Sequence, residues 1–254
     1  MLRTWARVGV VSEDGYFDER VAATYDEDVA DRSAPEVLDP TVAFLAELAG
    51  EGQALEFAIG TGRIALPLAA RGVPVQGIEL STAMAAHLAA KPGGEAIDVT
   101  IGDIASTRVE GSFSLVYLVF NTIMNLTTQE AQVACFRNAG AHLEPGGCFV
   151  VEVMVPELRR LPPGETFHVF GGGADAWGID EYDVADQGLV SHHLEVVDGA
   201  LERFSVPFRY VWPSELDLMA QLAGMTLRDR WSGWAREPFT NESRQHVSVW
   251  ERPA

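Results

Sequence analysis

Three carboxylates and two glycines carry the first chemical signal in this chain. The glycines lie in Leu55-Glu56-Phe57-Ala58-Ile59-Gly60-Thr61-Gly62-Arg63, a short apolar run that ends in a turn. Glycine lets the backbone turn tightly and approach a ligand closely. The next residues read as a helix, whose free N–H groups and positive dipole end suit a polar ligand. Glu56 stands just before the turn. Glu79 ends the next apolar run, and Asp103 ends the third, in Ile101-Gly102-Asp103-Ile104. A carboxylate at Glu79 can accept both hydroxyls of a ribose. One at Asp103 can accept an adenine amino group, and one at Glu56 suits an ammonium. Ligands of open α/β sheets bind at the carboxyl ends of the strands, so three acids at successive strand ends point to one nucleoside-bearing ligand.

Gly60-x-Gly62-x-x-Ala65 also fits the dinucleotide fingerprint, whose last position tolerates alanine. Glu79 serves NAD and S-adenosylmethionine (SAM) equally. Glu56 favours SAM, which has an ammonium group where NAD has none.

The elements that must position these residues follow from periodicity. Residues 15–50 read as helical, with Pro40 in the first turn of a helix carrying Val42, Phe44, Leu45 and Leu48 on one face. Strands are expected at 54–59, 73–78, 97–101, 113–120 and 148–155. Helices are expected at 64–70, 82–90 and 129–143, the last stopped by Pro145-Gly146-Gly147. Strands alternating with helices, with the fourth and fifth almost uninterruptedly apolar, mean a parallel sheet covered on both faces. Residues 165–212 instead alternate in short strands, with Asp198-Gly199 as a hairpin turn. Ser214 then caps a helix that Gly224 ends, and 225–231 with 246–251 read as a closing antiparallel pair.

With these residues in place, the chain resembles the class I SAM-dependent methyltransferases. Glu56 to Gly62 matches their glycine-rich motif, except that Ala58 stands where the first glycine is usual. Gly77-Ile78-Glu79-Leu80-Ser81 resembles the ribose motif, Gly102-Asp103-Ile104 the adenine motif, and Pro145-Gly146-Gly147 the turn before the fifth strand. The resemblance covers residues 15–155 and the C-terminal strands. It implies a Rossmann-like α/β fold: a seven-stranded, mostly parallel sheet with an antiparallel β insertion after the fifth strand. It divides the chain into N-terminal lid helices and a SAM-binding core (1–156), a substrate-covering insertion (157–212) and a C-terminal helix and strands completing the sheet (213–254).

The resemblance also implies roles. Backbone at Ala58, Gly60 and Gly62 approaches the methionine part of SAM, and Glu56 faces its ammonium. Glu79 binds the ribose, Leu80 and Met84 pack on the adenine, and Asp103 with Ile104 reads the adenine edge. Phe120, ending strand four, offers its carbonyl to the ammonium. Tyr25, beside Asp26, resembles a lid tyrosine that reaches the carboxylate, with which Arg63 also pairs.

Methyl transfer needs alignment and water exclusion more than a strong catalytic side chain, although an oxygen or nitrogen nucleophile can use a base, most often histidine. His87 and His142 lie on framework helices and read as structural. The insertion holds His168, His192 and His193. On an alternating strand His192 shares a face with Val190, Leu194 and Val196, so its face is expected inward, while His193 sits with Ser191 and Glu195. Both are retained as catalytic candidates. Tyr16, Phe17, Trp177, Tyr182, Tyr210 and Trp212 line a substrate pocket or fill ordinary core.

Composition bounds the acceptor. The 254 residues include 18 basic and 37 acidic side chains, a net charge of -19, and no basic patch. Such a chain repels a nucleic acid. Phe120-Asn121-Thr122-Ile123 also lacks the Asn-Pro-Pro-Tyr-type motif of many nucleic-acid methylating relatives. A small-molecule acceptor, a secondary metabolite methylated at oxygen or nitrogen, is therefore expected. The alternatives are a SAM-binding enzyme that cyclises or rearranges its substrate, and an NAD-dependent oxidoreductase. Lys91 is the only lysine and has no Tyr-x-x-x-Lys partner; the dominance of arginine fits GC-rich bacterial coding. Two cysteines, Cys135 and Cys148, suit a reduced cytoplasm. No clustered metal ligands and no membrane-spanning run are read. The oligomeric state is not legible, a homodimer being one option.

Overall fold

The computed structural model describes residues 16–197 and 199–254. The N-terminal apolar run and Asp198 of the expected turn lie outside them.

Seven strands form the central sheet: β1 (Ala54–Phe57), β2 (Val75–Glu79), β3 (Asp98–Ile101), β4 (Phe113–Leu118), β5 (Leu143–Met154), β10 (Thr226–Trp231) and β11 (Gln245–Glu251). Their order is β10-β11-β5-β4-β1-β2-β3. The first five pair in parallel, while β11 runs antiparallel to both β5 and β10. The chain moves outward from β1 in one direction through β2 and β3, then in the other through β4 and β5. That reversal opens a crevice above the carboxyl ends of β1 and β4.

The strands are apolar on both sides because helices cover both. Leu55, Phe57, Val116, Leu118, Phe149, Val151 and Trp250 pack toward α5 (Gln129–His142) and α6 (Pro213–Leu222). Ala54, Leu115, Tyr117, Val150, Val247 and Val249 pack toward α2 (Pro35–Ala49), α3 (Ala65–Ala70) and α4 (Thr82–Ala89). A buried leucine or phenylalanine contributes roughly 1.5–3 kcal/mol, so these two clusters dominate stability.

Several element ends differ from expectation. Helix α2 starts at Pro35, so Pro40 lies inside it rather than in its first turn. The buried face of Val42, Phe44 and Leu45 outweighs the single backbone bond that Pro40 removes. The stop after α5 comes at His142, before Pro145-Gly146-Gly147; those residues bulge from β5, which pairs with β4 at Leu143 and again at Cys148. Pro213 opens α6 with Trp212 as its cap, so Ser214 sits within the first turn. Strand β4 ends at Leu118, because Phe120 and Asn121 adopt left-handed backbone (φ 59° and 61°).

The insertion is a four-stranded antiparallel sheet: β6 (Phe167–Gly172), β7 (Ala176–Asp183), β8 (Gly188–Val197) and β9 (Ala200–Arg209), in sequence order. Val197 pairs with Ala200 and Gly199 has φ 78°, as the hairpin reading requires. Tyr182 and Leu189 join the main core, with Phe208 packed against it. A polar network fastens the last strand. Arg209 donates to Gln132 Oε1 of α5 (2.6 Å) and to Glu215 Oε1 of α6 (2.8 Å), and Glu215 also accepts from Gln187. Breaking such a buried pair by removing one partner costs about 3–5 kcal/mol.

Candidate active site

The loop after β1 places every second residue in the left-handed region: Ala58 (φ 53°), Gly60 (φ 58°) and Gly62 (φ 81°). At Gly62 a Cβ would come within 2.3 Å of Leu88 Cδ1, so both conformation and space demand glycine. Ala58 holds the same conformation with a side chain, at a cost of about 1–2 kcal/mol. The loop folds back on Glu79, whose Oε2 accepts from Gly60 N–H (2.8 Å) and whose Oε1 accepts from Ser81 N–H (2.8 Å). Burial still raises the Glu79 carboxyl above its ordinary range, against those backbone donors.

Glu56 is the most perturbed acid. It pairs across the sheet with Tyr117, whose hydroxyl donates to Oε2 at 2.8 Å. Burial pushes its pKa up to about 8, opposed by the Tyr117 hydrogen bond and the charge of Arg63. Glu56, Tyr25, Gly60, Arg63, Val119 and Phe120 line one small pocket. Arg63 has no carboxylate partner among the described residues. Its guanidinium lies 5.3 Å from the Phe120 ring centroid, with that of Arg32 at 5.2 Å. The Phe120 N–H donates to Glu152 Oε2 (2.9 Å). Phe120 thus stands two residues beyond β4, not at its end.

Helix α1 (Glu19–Asp28) covers this pocket, and the chain's single lysine fastens it there. Lys91 Nζ lies 2.6 Å from Asp26 Oδ2 and donates to the Thr61 carbonyl at 2.7 Å; the Thr61 hydroxyl donates to Asp26 Oδ1 at 2.6 Å. Burial acts to raise the Asp26 carboxyl, but the Lys91 and Thr61 bonds win and the net shift is down. Ala22 packs with Ala83 and Met84, and Phe17 and Tyr25 lean on them. Sequence reasoning named Tyr25 but missed Asp26, Thr61 and Lys91 as a unit. The sole lysine was the available signal.

Beyond Glu79, Met84 is buried against Gly60, and Leu80 is left 45% exposed at the strand end. Asp103 is exposed, with Oδ1 accepting from Ala105 N–H (2.8 Å), and Ile104 is buried beside it. An exposed leucine and an exposed carboxylate at adjacent strand ends leave a shelf with one apolar and one polar side.

The insertion reverses one expectation. Its inward face carries Tyr182, Asp180, Leu189, Ser191, His193 and Phe204, not His192. Tyr182 and Leu189 enter the core and pull their alternates inward, so Val190, Leu194 and Val196 turn outward despite being apolar. His192 bonds on that outer face to Ser205 Oγ (2.8 Å) and Glu181 Oε2 (3.2 Å). His193 stacks on Phe204 at 4.5 Å and meets the edge of Phe170 at 5.6 Å. Burial, then the charge of His192, lowers its pKa. Ring contacts continue from Phe204 to Tyr16, Phe17 and Tyr25, so an aromatic wall runs from the insertion to the pocket. Tyr210 is buried in the core with Tyr182, and Trp177 lies on the outer face with Leu194. His142 is structural: its two ring nitrogens bond to the Asn138 carbonyl and the Val109 N–H.

A family model described as "Methyltransferase domain" matches residues 54–147. The CcbJ methyltransferase from Streptomyces caelestis is 37% identical, with a TM-score of 0.81 over 92% of this chain and 96% of that one. The chain belongs to the class I SAM-dependent methyltransferases. A cypemycin N-terminal methyltransferase from Streptomyces sp is 26% identical over 78% of this chain and 82% of its own length. The fold is shared with SAM-bound CalS10 from Micromonospora echinaspora, an amino pentose methyltransferase (23% identity, TM-score 0.63, 95% and 99% coverage).

The cofactor of this methyltransferase is SAM, and the residues present fit it. Glu56 is a buried carboxylate whose side-chain partner is a neutral phenol, which is what an ammonium or sulfonium ligand would complete. Arg63, on the same pocket, donates to the Arg32 carbonyl (3.3 Å) and meets no carboxylate among the described residues, so it can still take one. Among the described residues no cluster of His, Cys, Asp or Glu could hold a metal ion, and no helix is long and apolar enough to cross a membrane.

Proposed function

We propose that this methyltransferase methylates an amine nitrogen of a small-molecule acceptor, a secondary metabolite bound between the insertion sheet and the cofactor pocket. The observation that carries the reading is the aromatic wall linking Tyr25 in the pocket to His193 on the insertion's inner face. Rings of this kind suit a drug-sized ligand. A net charge of -19 attracts a cationic amine rather than an anion. The curated relative's name specifies methylation at an N-terminus, which is an amine.

SAM supplies an electrophilic methyl group on a sulfonium sulfur, and the protein supplies binding, orientation and dryness. Glu56 holds the methionine ammonium and Arg63 with Tyr25 its carboxylate. Phe120 offers its backbone to the ammonium, and the Ala58, Gly60 and Gly62 backbone lies along the methionine part. Glu79 binds the ribose. Leu80, Met84, Asp103 and Ile104 hold the adenine. Residues 1–156 act as lid and cofactor core, 157–212 as the acceptor's cover, and 213–254 complete the sheet. His193, kept neutral by burial, takes the acceptor's proton; His192, turned outward, plays no part in that step.

Incubation with SAM and matched panels of amino sugars, amino acids, short peptides and their hydroxyl analogues, read by mass spectrometry, tests this. Products gaining one CH2 from the amines alone are expected. Methylated hydroxyl compounds without methylated amines would overturn the choice of nitrogen.

A further inference from the structure

Two buried polar residues on the insertion's inner face have no role in cofactor binding. Asp180 of β7 and Ser191 of β8 stand opposite one another, and only 7% and 6% of their surfaces are exposed. One register step further, Ser191 Oγ lies 3.3 Å from His193 Nε2. The Ser191 hydroxyl faces the Asp180 carboxyl across this pair and draws it down against burial, which raises it. A hydroxyl has one proton. With that proton turned to Asp180, the Ser191 oxygen accepts and Nε2 is the donor. His193 Nδ1 then carries the lone pair, and it makes no hydrogen bond among the described residues. Phe204 stacks within 5° of the imidazole plane, and Phe170 meets its edge, which fixes the ring's tilt. Phe170 and Phe204 are 47% and 42% exposed, so this end of the row is open while Asp180 stays buried.

We propose that Asp180 and Ser191 are positioning residues for His193, holding Nε2 as a donor so that Nδ1 faces the acceptor as the free base. This rests on the amine-methylation reading given above. As the acceptor nitrogen forms its new N–C bond, the S–C pair stays on sulfur and the proton leaving nitrogen moves to Nδ1. His193 becomes an imidazolium, and its added charge is met through Ser191 by the Asp180 carboxylate. A third group orienting a base in this way is the general logic of activated acid–base pairs. The other polar groups on this face are His168 opposite Asp180, Glu195 and Glu202 in the row beyond His193, and Tyr16 against Phe204, with His192 acting from the opposite face.

The test needs no acceptor. The full chain, with nitrogen-labelled histidine and saturated with S-adenosylhomocysteine (SAH), is titrated by NMR; His193→Gln identifies the resonance. We expect Nε2 protonated and Nδ1 bare in the neutral ring. In Asp180→Asn and Ser191→Ala the His193 midpoint should fall by at least ~0.5 unit, while Ser191→Thr restores it. Unchanged SAH affinity certifies each fold, and Ser191→Thr separates loss of the hydroxyl from loss of packing. A midpoint unmoved in both Asp180→Asn and Ser191→Ala overturns the positioning role, as does Nδ1 found protonated. Full activity of His193→Gln on an amine found by the acceptor panel would instead remove the base itself, so the two failures are distinguishable.

Discussion

Ala58 is the clearest strain at the scale of single residues. Its position calls for left-handed backbone, which glycine adopts freely and alanine does not. Ala58→Gly should therefore leave the loop unchanged and gain about 1 kcal/mol, the relief of strain being partly offset by the greater freedom of glycine when unfolded. Urea titration of both proteins measures it; a loss of stability would mean that the methyl group makes a contact worth more than the strain. The residue scale is also where sequence reading went furthest. Glu79 ends β2 and Glu56 is the next-to-last residue of β1, while Asp103 stands two residues beyond the end of β3. That reading set His192 rather than His193 on the inward face, because alternation says which residues share a face but not which face is buried.

Helix α1 and the insertion are held to the core by polar ties, Asp26–Lys91–Thr61 and Gln132–Arg209–Glu215 respectively. Neither tie was legible, since each depends on a bond between residues at least 30 positions apart in sequence. Lys91→Met should loosen α1 over the pocket while leaving the two core clusters alone. SAH affinity is expected to weaken about three- to fivefold, with global stability changing by less than ~1 kcal/mol, the range for a partly exposed pair. Isothermal titration together with a thermal melt reads both quantities. Unaltered affinity would show that α1 closes the pocket without Lys91.

Across the whole molecule, the buried Glu56 carboxyl links stability, pH and cofactor. Its folded pKa is about 8, well above the usual carboxylate value of the unfolded chain. Between those values the folded state binds the proton and the unfolded state does not, so stability falls as pH rises through that window and levels off above about 8. A bound ammonium favours the carboxylate. SAH should thus bind more tightly as pH rises through the same window and release a proton in doing so. Melting temperatures with and without SAH, and calorimetry in two buffers of different ionisation enthalpy, follow these effects. Glu56→Gln should abolish the proton release; if it persists, another group carries the linkage.

The sequence by itself determined the alternation of strands and helices, the glycine turn and the three strand-end acids, because these are written in local periodicity and in conformations that few residues tolerate. It could also mark 165–212 as antiparallel, since the strands there alternate instead of running apolar throughout. Only the tertiary structure decided which face of that insertion looks inward. The reason is that Tyr182 and Leu189 gain more by entering the main core than Val190, Leu194 and Val196 lose by turning outward. That balance belongs to the packed molecule, and it is what brings Asp180, Ser191 and His193 together on the face that carries Tyr182 and Leu189 into the core.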